Sequence, residues 1–268
     1  MAIEVTNYAY IQRSIKRKSN VKKTATILVL FSGVILTGCS DQFTKGSQPA
    51  AAPSAITKKL ITYTDQQSPG PNKNYYWENG KAQSIDFSKM SAGSVDFESD
   101  AQGRSGEAKA ILTYKEYENS KGKRQGSPLD PPSWPKNIKV PITFSLTNRT
   151  YHGYLYNRSH SISDSLLGKA SYSSKFNFTT GTRSQNVGAN QNGGMRAAEE
   201  LAEKYWKAHP NTKETIKYVT RPIYKGDETI PRGSIVDEKS SDGVIDKEIV
   251  VINSAEGFRI NYYTGAFQ

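Results

Sequence analysis

The pattern of hydrophobic and polar positions separates a short apolar run near the start of the chain from a longer region of strand-like segments. Seven segments rich in β-branched and aromatic residues are predicted as strands, namely 110–118, 138–146, 151–156, 216–224, 233–238, 247–253 and 258–263. One helix is predicted where apolar residues recur at spacings of three and four, at Met195, Ala198, Leu201, Ala202 and Tyr205. The sequence therefore predicts an α+β fold, mostly antiparallel β with at least one strong helix.

The apolar run near the N-terminus is typical of an export signal. Six Lys and Arg residues precede the apolar stretch 27–36, which is too short to span a bilayer comfortably. It ends in Leu36-Thr37-Gly38-Cys39, which resembles a bacterial lipobox, and Cys39 is the only cysteine. We expect a lipoprotein signal peptide at 1–38 and lipidation of Cys39. An ordinary secretory signal with a free thiol and an uncleaved signal anchor are the alternatives.

The remainder of the chain is predicted to be one tethered domain. Residues 39–58 are rich in Ser, Gln, Pro and Ala without periodic hydrophobicity, which indicates a flexible tether. Residues 59–268 are predicted as a single domain, with polar loops at 66–82 and 117–137. We expect a monomer anchored by its lipid to the extracytoplasmic face of the cell membrane.

Charge favours a polyanionic partner but does not establish one. The chain has a net charge of +11, and its mean hydropathy is −0.65. Removal of residues 1–38 leaves 30 basic and 24 acidic residues, a net charge of +6. This charge suits nucleic acid, teichoic acid or lipid headgroups, although a basic domain without such a partner has the same composition. The sequence has no Gly-x-Ser-x-Gly elbow, Walker motif or Cys/His cluster.

A histidine and several downstream polar residues form the candidate chemistry. The segment Asn157-Arg158-Ser159-His160 follows an apolar strand and presents an imidazole beside a guanidinium. Asn177, Asn186 and Glu199 come later in the chain. A base, an amide oxygen for a metal ion and an acid to orient metal-bound water are together able to cleave a phosphodiester.

The segments 157–160, 180–186 and 192–195 resemble the DNA/RNA non-specific endonucleases of the ββα-metal (His-Me finger) fold. The resemblance extends over about 85–268 and is greatest to cell-surface and DNA-entry nucleases of low-GC bacteria. It implies a central antiparallel sheet with flanking helices. It also implies a metal-dependent, sequence-non-specific endonuclease that cuts DNA and RNA to 5′-phosphorylated fragments with Mg²⁺ or Mn²⁺.

The resemblance also implies roles for individual residues. His160 matches the general base, and Asn186 matches the metal ligand. Arg158 and Arg183 are expected to hold the scissile phosphate, with a structural or rim role as the alternative for Arg183. Asn177 matches an asparagine that helps to shape the catalytic site, with a turn asparagine as the alternative.

Glu199 is expected to orient metal-bound water, and Glu200 is the near alternative; either residue could instead lie on a solvated helix face. The family signature Asp-Arg-Gly-His reads Asn-Arg-Ser-His here, so Asn157 and Ser159 depart from it. Some members carry glutamine where this chain has Gly181.

Two other functions remain open at this point. A surface lipoprotein that binds DNA or another polyanion without cutting it would tolerate the departures from the signature. A toxin secreted against other bacteria is the third possibility, and a lipidated Cys39 argues against its free release.

Overall fold

The computed structural model describes residues 54–122 and 124–268. Five α-helices occur in this part of the chain, α1 (Ala55–Asp65), α2 (Tyr114–Ser120), α3 (Asp164–Leu167), α4 (Arg183–Val187) and α5 (Met195–Ala208). The ten strands there are β1 (Tyr76–Gly80), β2 (Val95–Ser99), β3 (Ser105–Thr113), β4 (Lys139–Thr143), β5 (Thr150–Tyr154), β6 (Tyr156–His160), β7 (Phe178–Thr182), β8 (Thr215–Ile223), β9 (Gly233–Ser240) and β10 (Asp246–Ile252). The predicted α+β class is confirmed.

Six of the strands form one antiparallel sheet in the order β1-β10-β9-β8-β3-β2. The sheet joins strands that are far apart in the sequence, because β1 pairs with β10 and β3 pairs with β8. Two smaller ribbons, β4-β5 and β6-β7, lie outside this sheet.

Apolar side chains cover both faces of the large sheet. On one face, α5 packs Met195, Ala198, Ala202 and Trp206 into a core that also includes Ile162 and Leu166 of the α3 region and apolar residues of β3, β8, β9 and β10. On the other face, Leu60 of α1 packs with Trp77, Ile235, Val250 and Ile252. The helix predicted around Met195–Tyr205 is confirmed, because the spacing of its apolar residues places them on one buried stripe.

The first helix begins inside the predicted tether. Ser54 caps α1 by accepting a hydrogen bond from the Thr57 amide at 3.1 Å, and Leu60 is fully buried. The tether predicted at 39–58 is therefore wrong for 54–58, which form the N-cap and first turn of α1. The predicted signal peptide at 1–38 and the lipidated Cys39 lie outside the described residues.

Several predicted strands differ from the observed ones. The prediction at 110–118 is wrong after Thr113, because Thr113 is the N-cap of α2: its hydroxyl accepts a hydrogen bond from the Glu116 amide at 3.4 Å and donates one to the Glu116 carboxylate. The prediction at 258–263 is also wrong, since this segment forms turns and isolated bridges rather than a paired strand. The loop predicted at 66–82 contains β1. Within the described ranges, no helix combines the length and apolar character needed to cross a bilayer.

Candidate active site

Strands β6 and β7 and helix α4 form one ββα unit that carries most of the predicted site residues. In the ribbon, Asn157 pairs with Gly181 and His160 pairs with Phe178. Thr182 fixes the start of α4, because its hydroxyl accepts a hydrogen bond from the Gln185 amide at 2.9 Å. The Thr182 amide in turn donates to Asn253 Oδ1 at 2.8 Å, which ties the unit to the chain just after β10.

His160 lies at the end of β6 with its ring held between two aromatic side chains. The imidazole centroid is 4.4 Å from that of Phe178 and 5.3 Å from that of Tyr172. Its Nε2 is buried and has no hydrogen-bond partner among the described residues. Burial lowers the pKa of His160 to about 4, with Asp164 acting to raise it and Arg124 to lower it. The ring is therefore neutral at physiological pH, and its Nε2 is unoccupied by any described residue.

Asn177 holds the turn that follows His160. Its Oδ1 accepts from the Ile162 amide at 2.9 Å, and its Nδ2 donates to the carbonyls of Ile162 and Ser171, each at 2.9 Å. The side chain is fully buried and both of its amide protons are used within the fold. These bonds give Asn177 the role of positioning the segment after His160, which is compatible both with an asparagine that shapes the catalytic site and with a turn asparagine.

Asn186 is half-buried on α4 and is suited to a hard divalent cation. None of the hydrogen bonds between described residues uses its side chain, which leaves its amide oxygen available. The preceding residue, Gln185, also has a buried Oε1 without a partner. No cluster of three or more His, Cys, Asp or Glu side chains able to hold a metal occurs in 54–122 and 124–268. The donor set fits Mg²⁺, which accepts amide oxygens and keeps several of its waters.

The two predicted phosphate-binding arginines lie in different places. Arg158 is exposed, pairs with Asp130 at 2.5 Å and places its guanidinium 4.5 Å from the Trp134 ring. Arg183 donates to Gln191 at 2.6 Å and lies 5.3 Å from the Tyr151 ring. Arg183 directly follows Thr182, which pairs with Tyr156 at the start of β6. His160 is at the other end of β6, so Arg183 lies roughly 13 Å from it along the strand direction.

Glu199 belongs to a partly buried network of charged side chains on α5. Arg196 donates to Glu199 at 3.0 Å and makes a bidentate pair with Glu203 at 2.6 and 2.8 Å. Burial raises the pKa of Glu199 to about 7, Arg196 acts to lower it, and Glu203 and Asp164 act to raise it. Asp164 is thus within electrostatic reach of both Glu199 and His160.

Glu200 shares Arg196 with its neighbour, at 3.7 Å, but also faces outward. It pairs with Lys204 at 3.1 Å and lines an open pocket with Tyr76, Glu78 and Lys247. Of the two candidate acids, Glu199 is the more buried, with 13% of its side chain exposed against 23% for Glu200.

Sequence reasoning missed four residues that surround the site. Asp164 accepts a hydrogen bond from Tyr172 Oη at 2.8 Å and lies 3.9 Å from Arg124. Glu238 of β9 is fully buried, neither of its carboxyl oxygens has a hydrogen-bond partner among the described residues, and burial raises its pKa well above its usual value. The sequence offers a signal for Asp164, an acid four residues after His160. No local pattern indicates a role for Tyr172, Arg196 or Glu238.

The comparisons with known proteins agree with one another on a family of nucleases. The sequence model described as DNA/RNA non-specific endonuclease matches residues 70–261. A curated deoxyribonuclease from Streptococcus dysgalactiae subsp. equisimilis is 38% identical over 129 residues, which cover 48% of this chain and 37% of that protein. The match thus spans little more than a third of the relative's length.

Two solved structures have a similar fold. The structure of Sda1 nuclease with a bound zinc ion superposes with a TM-score of 0.65 at 30% identity, covering 75% of this chain and 99% of that one. The structure of NucA from Streptococcus agalactiae with a magnesium ion bound superposes with a TM-score of 0.59 at 20% identity, covering 81% and 96%. The ββα-metal fold predicted from the motifs is confirmed by these likenesses.

Proposed function

The chain belongs to the DNA/RNA non-specific endonuclease family, and from this membership we propose that it hydrolyses phosphodiester bonds of DNA and RNA with little regard to sequence. The observation that carries the proposal is His160, a neutral imidazole with an unpartnered Nε2, on the same ββα unit as Asn186. Contacts to backbone phosphates contain no sequence information, so binding should be salt-sensitive and almost sequence-blind.

His160 acts in this proposal as the general base. A neutral imidazole takes a proton from the attacking water at Nε2, and the Phe178 and Tyr172 rings fix the plane in which that nitrogen points. Asp164 stabilises the imidazolium that forms. Asn177 keeps the segment after His160 in place.

Asn186 would hold a divalent cation, Mg²⁺ or Mn²⁺, through its amide oxygen, and Glu199 would orient a water molecule beside it. The cation would supply positive charge at the scissile phosphate, and water attack with cleavage of the bond from phosphorus to the 3′ oxygen would leave products with 5′-phosphates. Arg158 binds phosphate next to the site, because its pairing with the exposed Asp130 is weak enough to be exchanged. Arg183 contacts the substrate at the rim of the site.

Metal dependence is the direct test of this function. Purified full-length chain should nick and linearise plasmid DNA in Mg²⁺ and not in EDTA, and Asn186→Ala should slow the reaction by about 100-fold or more. The matched control is Asn119→Ala, since Asn119 is an exposed asparagine on α2. Cutting that persists in EDTA would refute the metal mechanism. A folded chain that retards DNA on a gel without cutting it would instead support a binding protein.

We propose further that the enzyme is a monomer held at the cell surface by a lipid on Cys39, where it serves DNA uptake or the degradation of extracellular DNA. The support is the sequence alone: a basic flank, an apolar stretch, Leu36-Thr37-Gly38-Cys39 and no other cysteine. Acyl-chain labelling should mark the full chain and not Cys39→Ser. Equal labelling of both would exclude lipidation at this residue.

A further inference from the structure

Asn74, which lies just before β1, is inserted into the loop that joins α4 to α5. This loop comprises residues 188–194. The Asn74 side chain accepts a hydrogen bond from the Ala189 amide at 2.8 Å and donates one to Asn192 Oδ1 at 3.2 Å. Its backbone carbonyl accepts from the Gly194 amide at 2.9 Å. One residue therefore bonds the start, the middle and the end of the loop.

Two glycines in the loop leave the room that Asn74 occupies. A Cβ atom on Gly188 would lie 2.4 Å from Asn74 Oδ1, and one on Gly193 would lie 2.3 Å from Asn74 Cγ and from its carbonyl oxygen. Gly193 does not have a positive φ, so its missing side chain meets a requirement for space rather than for backbone conformation. The segment 192–195 is therefore shaped at Gly193 by a residue from much earlier in the chain.

The backbone on both sides of Asn74 is held in an uncommon conformation. Lys73 and Tyr75 have φ values of 57° and 66°, in the left-handed region that residues other than glycine seldom adopt. Tyr75 is fully buried and its hydroxyl donates to Glu256 at 2.9 Å, while the Asn74 amide donates to Asn72 Oδ1 at 2.9 Å. Such conformations persist only where surrounding contacts determine them, so the Asn74 side chain reaches the loop from a fixed backbone.

The loop depends on Asn74 for its hydrogen bonds to the rest of the protein. The Gly188 amide donates to the Ser184 carbonyl at 2.7 Å and the Gly193 amide to the Val187 carbonyl at 3.1 Å, both on α4. Among the described residues, every hydrogen bond that reaches the loop from outside α4 and α5 comes from Asn74. Without it, the loop would be hydrogen-bonded only to its own two helices.

The loop separates the two residues to which the proposed function gives roles beside the cation. Asn186 precedes the loop by two positions, and Glu199 follows it by five. Helix α5 is fixed by its packing on the large sheet, whereas α4 has only five residues. The start of α4 is tied through Thr182, and the chain beyond its end is tied by Asn74. The placement of Asn186 relative to Glu199 therefore depends on Asn74.

We propose that Asn74 is a positioning residue of the active site, which holds the α4–α5 loop and thereby sets the place of Asn186 relative to Glu199. The inference rests on the proposed function, which assigns chemical roles to those two residues. The competing explanation is that Asn74 only stabilises the fold. A role in stability alone predicts a lower melting temperature with normal turnover of the folded enzyme, whereas a positioning role predicts lower turnover of enzyme that is fully folded.

Turnover of folded protein separates these explanations. Full-length Asn74→Ala is assayed on plasmid DNA in Mg²⁺, well below its melting temperature, which is measured on the same samples. Its kcat should fall by about 10- to 100-fold, the effect that a small misplacement of reacting groups produces. KM should change little, because Arg158 lies on β6, outside this loop. Normal kcat in a folded Asn74→Ala protein overturns the proposal.

Two matched variants accompany this measurement. Asn74→Asp keeps the size and the acceptor for the Ala189 amide, and the exposed Asn192 amide can turn to donate to it, so kcat should stay within about 3-fold of the native value. Asn79→Ala removes a hydrogen bond to Glu248 at 2.6 Å, beside Trp77 on the α1 face of the sheet, and should lower the melting temperature without lowering kcat. An equal loss of kcat in Asn79→Ala would mean that destabilisation alone slows the enzyme, and would overturn the proposal.

Hydrogen exchange provides a readout that does not depend on activity. In metal-free Asn74→Ala, peptides that cover 188–194 should exchange faster, while peptides from β8, β9 and β10 should keep their native protection. Faster exchange throughout the domain would show a general loss of stability and contradict a local role.

Asn192→Leu covers the case in which Asn74→Ala does not fold. Asn192 is exposed, and this substitution removes only the acceptor of the Asn74 amide. Its kcat should fall by about 2- to 10-fold, the value of one neutral hydrogen bond, whereas Asn192→Asp keeps the acceptor and should match the native enzyme. Equal kcat in the two variants would overturn the proposal.

Asn186→Ala in the same assay distinguishes failure of this inference from failure of the proposed function. If Asn186→Ala is slow and folded Asn74→Ala is normal, only the role of Asn74 is wrong. If the native chain does not cut DNA in Mg²⁺, or Asn186→Ala cuts at the native rate, the proposed function is wrong in that respect and this inference falls with it.

Discussion

Replacing His160 with alanine is expected to reduce kcat on plasmid DNA by a factor of about 10² to 10⁴, the usual contribution of a positioned general base. The substitution removes the nitrogen that takes the proton from water, whereas DNA contacts through arginines and phosphates are retained. Cleavage is measured as a time course in Mg²⁺, and binding by gel retardation in EDTA. His152→Ala is the matched control, because His152 is an exposed histidine on β5 and its loss should leave the rate unchanged. Normal turnover in His160→Ala would remove this residue from the mechanism.

The pKa of His160 can be measured independently of activity. The chain has only three histidines, so NMR titration with His160→Ala as the assignment standard resolves this ring. Burial lowers the pKa of His160 to about 4, and Asp164→Asn should lower the pKa further because its carboxylate acts to raise it. Since the folded pKa lies below the unfolded value, the unfolded chain binds this proton more tightly, and stability should rise with pH between about 4 and 6.5. A ring that titrates near 6.5 would show that it is solvated.

Arg232→Ala is expected to lower the free energy of unfolding by about 3–5 kcal/mol, a large share of the roughly 5–15 kcal/mol typical of a domain. Arg232 donates to both carboxyl oxygens of Glu228, at 2.7 and 2.6 Å, and to Thr64 and Asp65 at the end of α1. Its guanidinium carbon also lies 4.0 Å from the centroid of the Tyr262 ring. Truncation leaves Glu228 buried and unpaired, which is the main cause of the expected loss.

Chemical denaturation of full-length protein measures this effect. The control is Arg259→Ala, since Arg259 is exposed and its substitution should change stability by less than about 0.5 kcal/mol. Adding Glu228→Ala to Arg232→Ala should recover part of the loss, because it removes the orphaned carboxylate. A loss below about 1 kcal/mol in the single variant would mean that water replaces the guanidinium.

The sequence predicts the parts of the fold in which apolar periodicity and burial agree. Helix α5 and strands β8, β9 and β10 carry regular apolar residues and were predicted within a few positions. The ribbon strand β7 was missed because its segment Phe-Thr-Thr-Gly-Thr is polar in composition yet fully buried, so tertiary packing rather than pattern makes it a strand. At 258–263 the opposite holds: Phe258, Ile260 and Tyr262 alternate like a strand, but the segment makes only isolated bridges, Ala255 with Phe258 and Ile260 with Phe267, and joins none of the strands β1 to β10.

The residues of the candidate site also fall into those that the sequence motifs indicate and those that only the structure shows. Motif order indicates His160, Asn186 and Glu199, the residues to which the proposed function gives chemical roles. It does not indicate Asp164 or Arg196, whose relevance depends on which side chains the fold brings beside them. For Asn177 the sequence leaves open a site-shaping and a turn role, and only the structure shows that its amide bonds the backbone on both sides of the segment after His160.

The anchoring of the ββα unit by Asn253 has a consequence for the order of assembly during synthesis. Asn253 and Ser254 hold Thr182 from 71 and 72 residues further along the chain, and β1 completes the sheet only by pairing with β10. Contacts so distant in sequence form only after the intervening chain exists. A chain still emerging from the ribosome therefore lacks these supports of the β6-β7 ribbon until Asn253 and Ser254 have been made, so the site can be completed only after synthesis has passed β10.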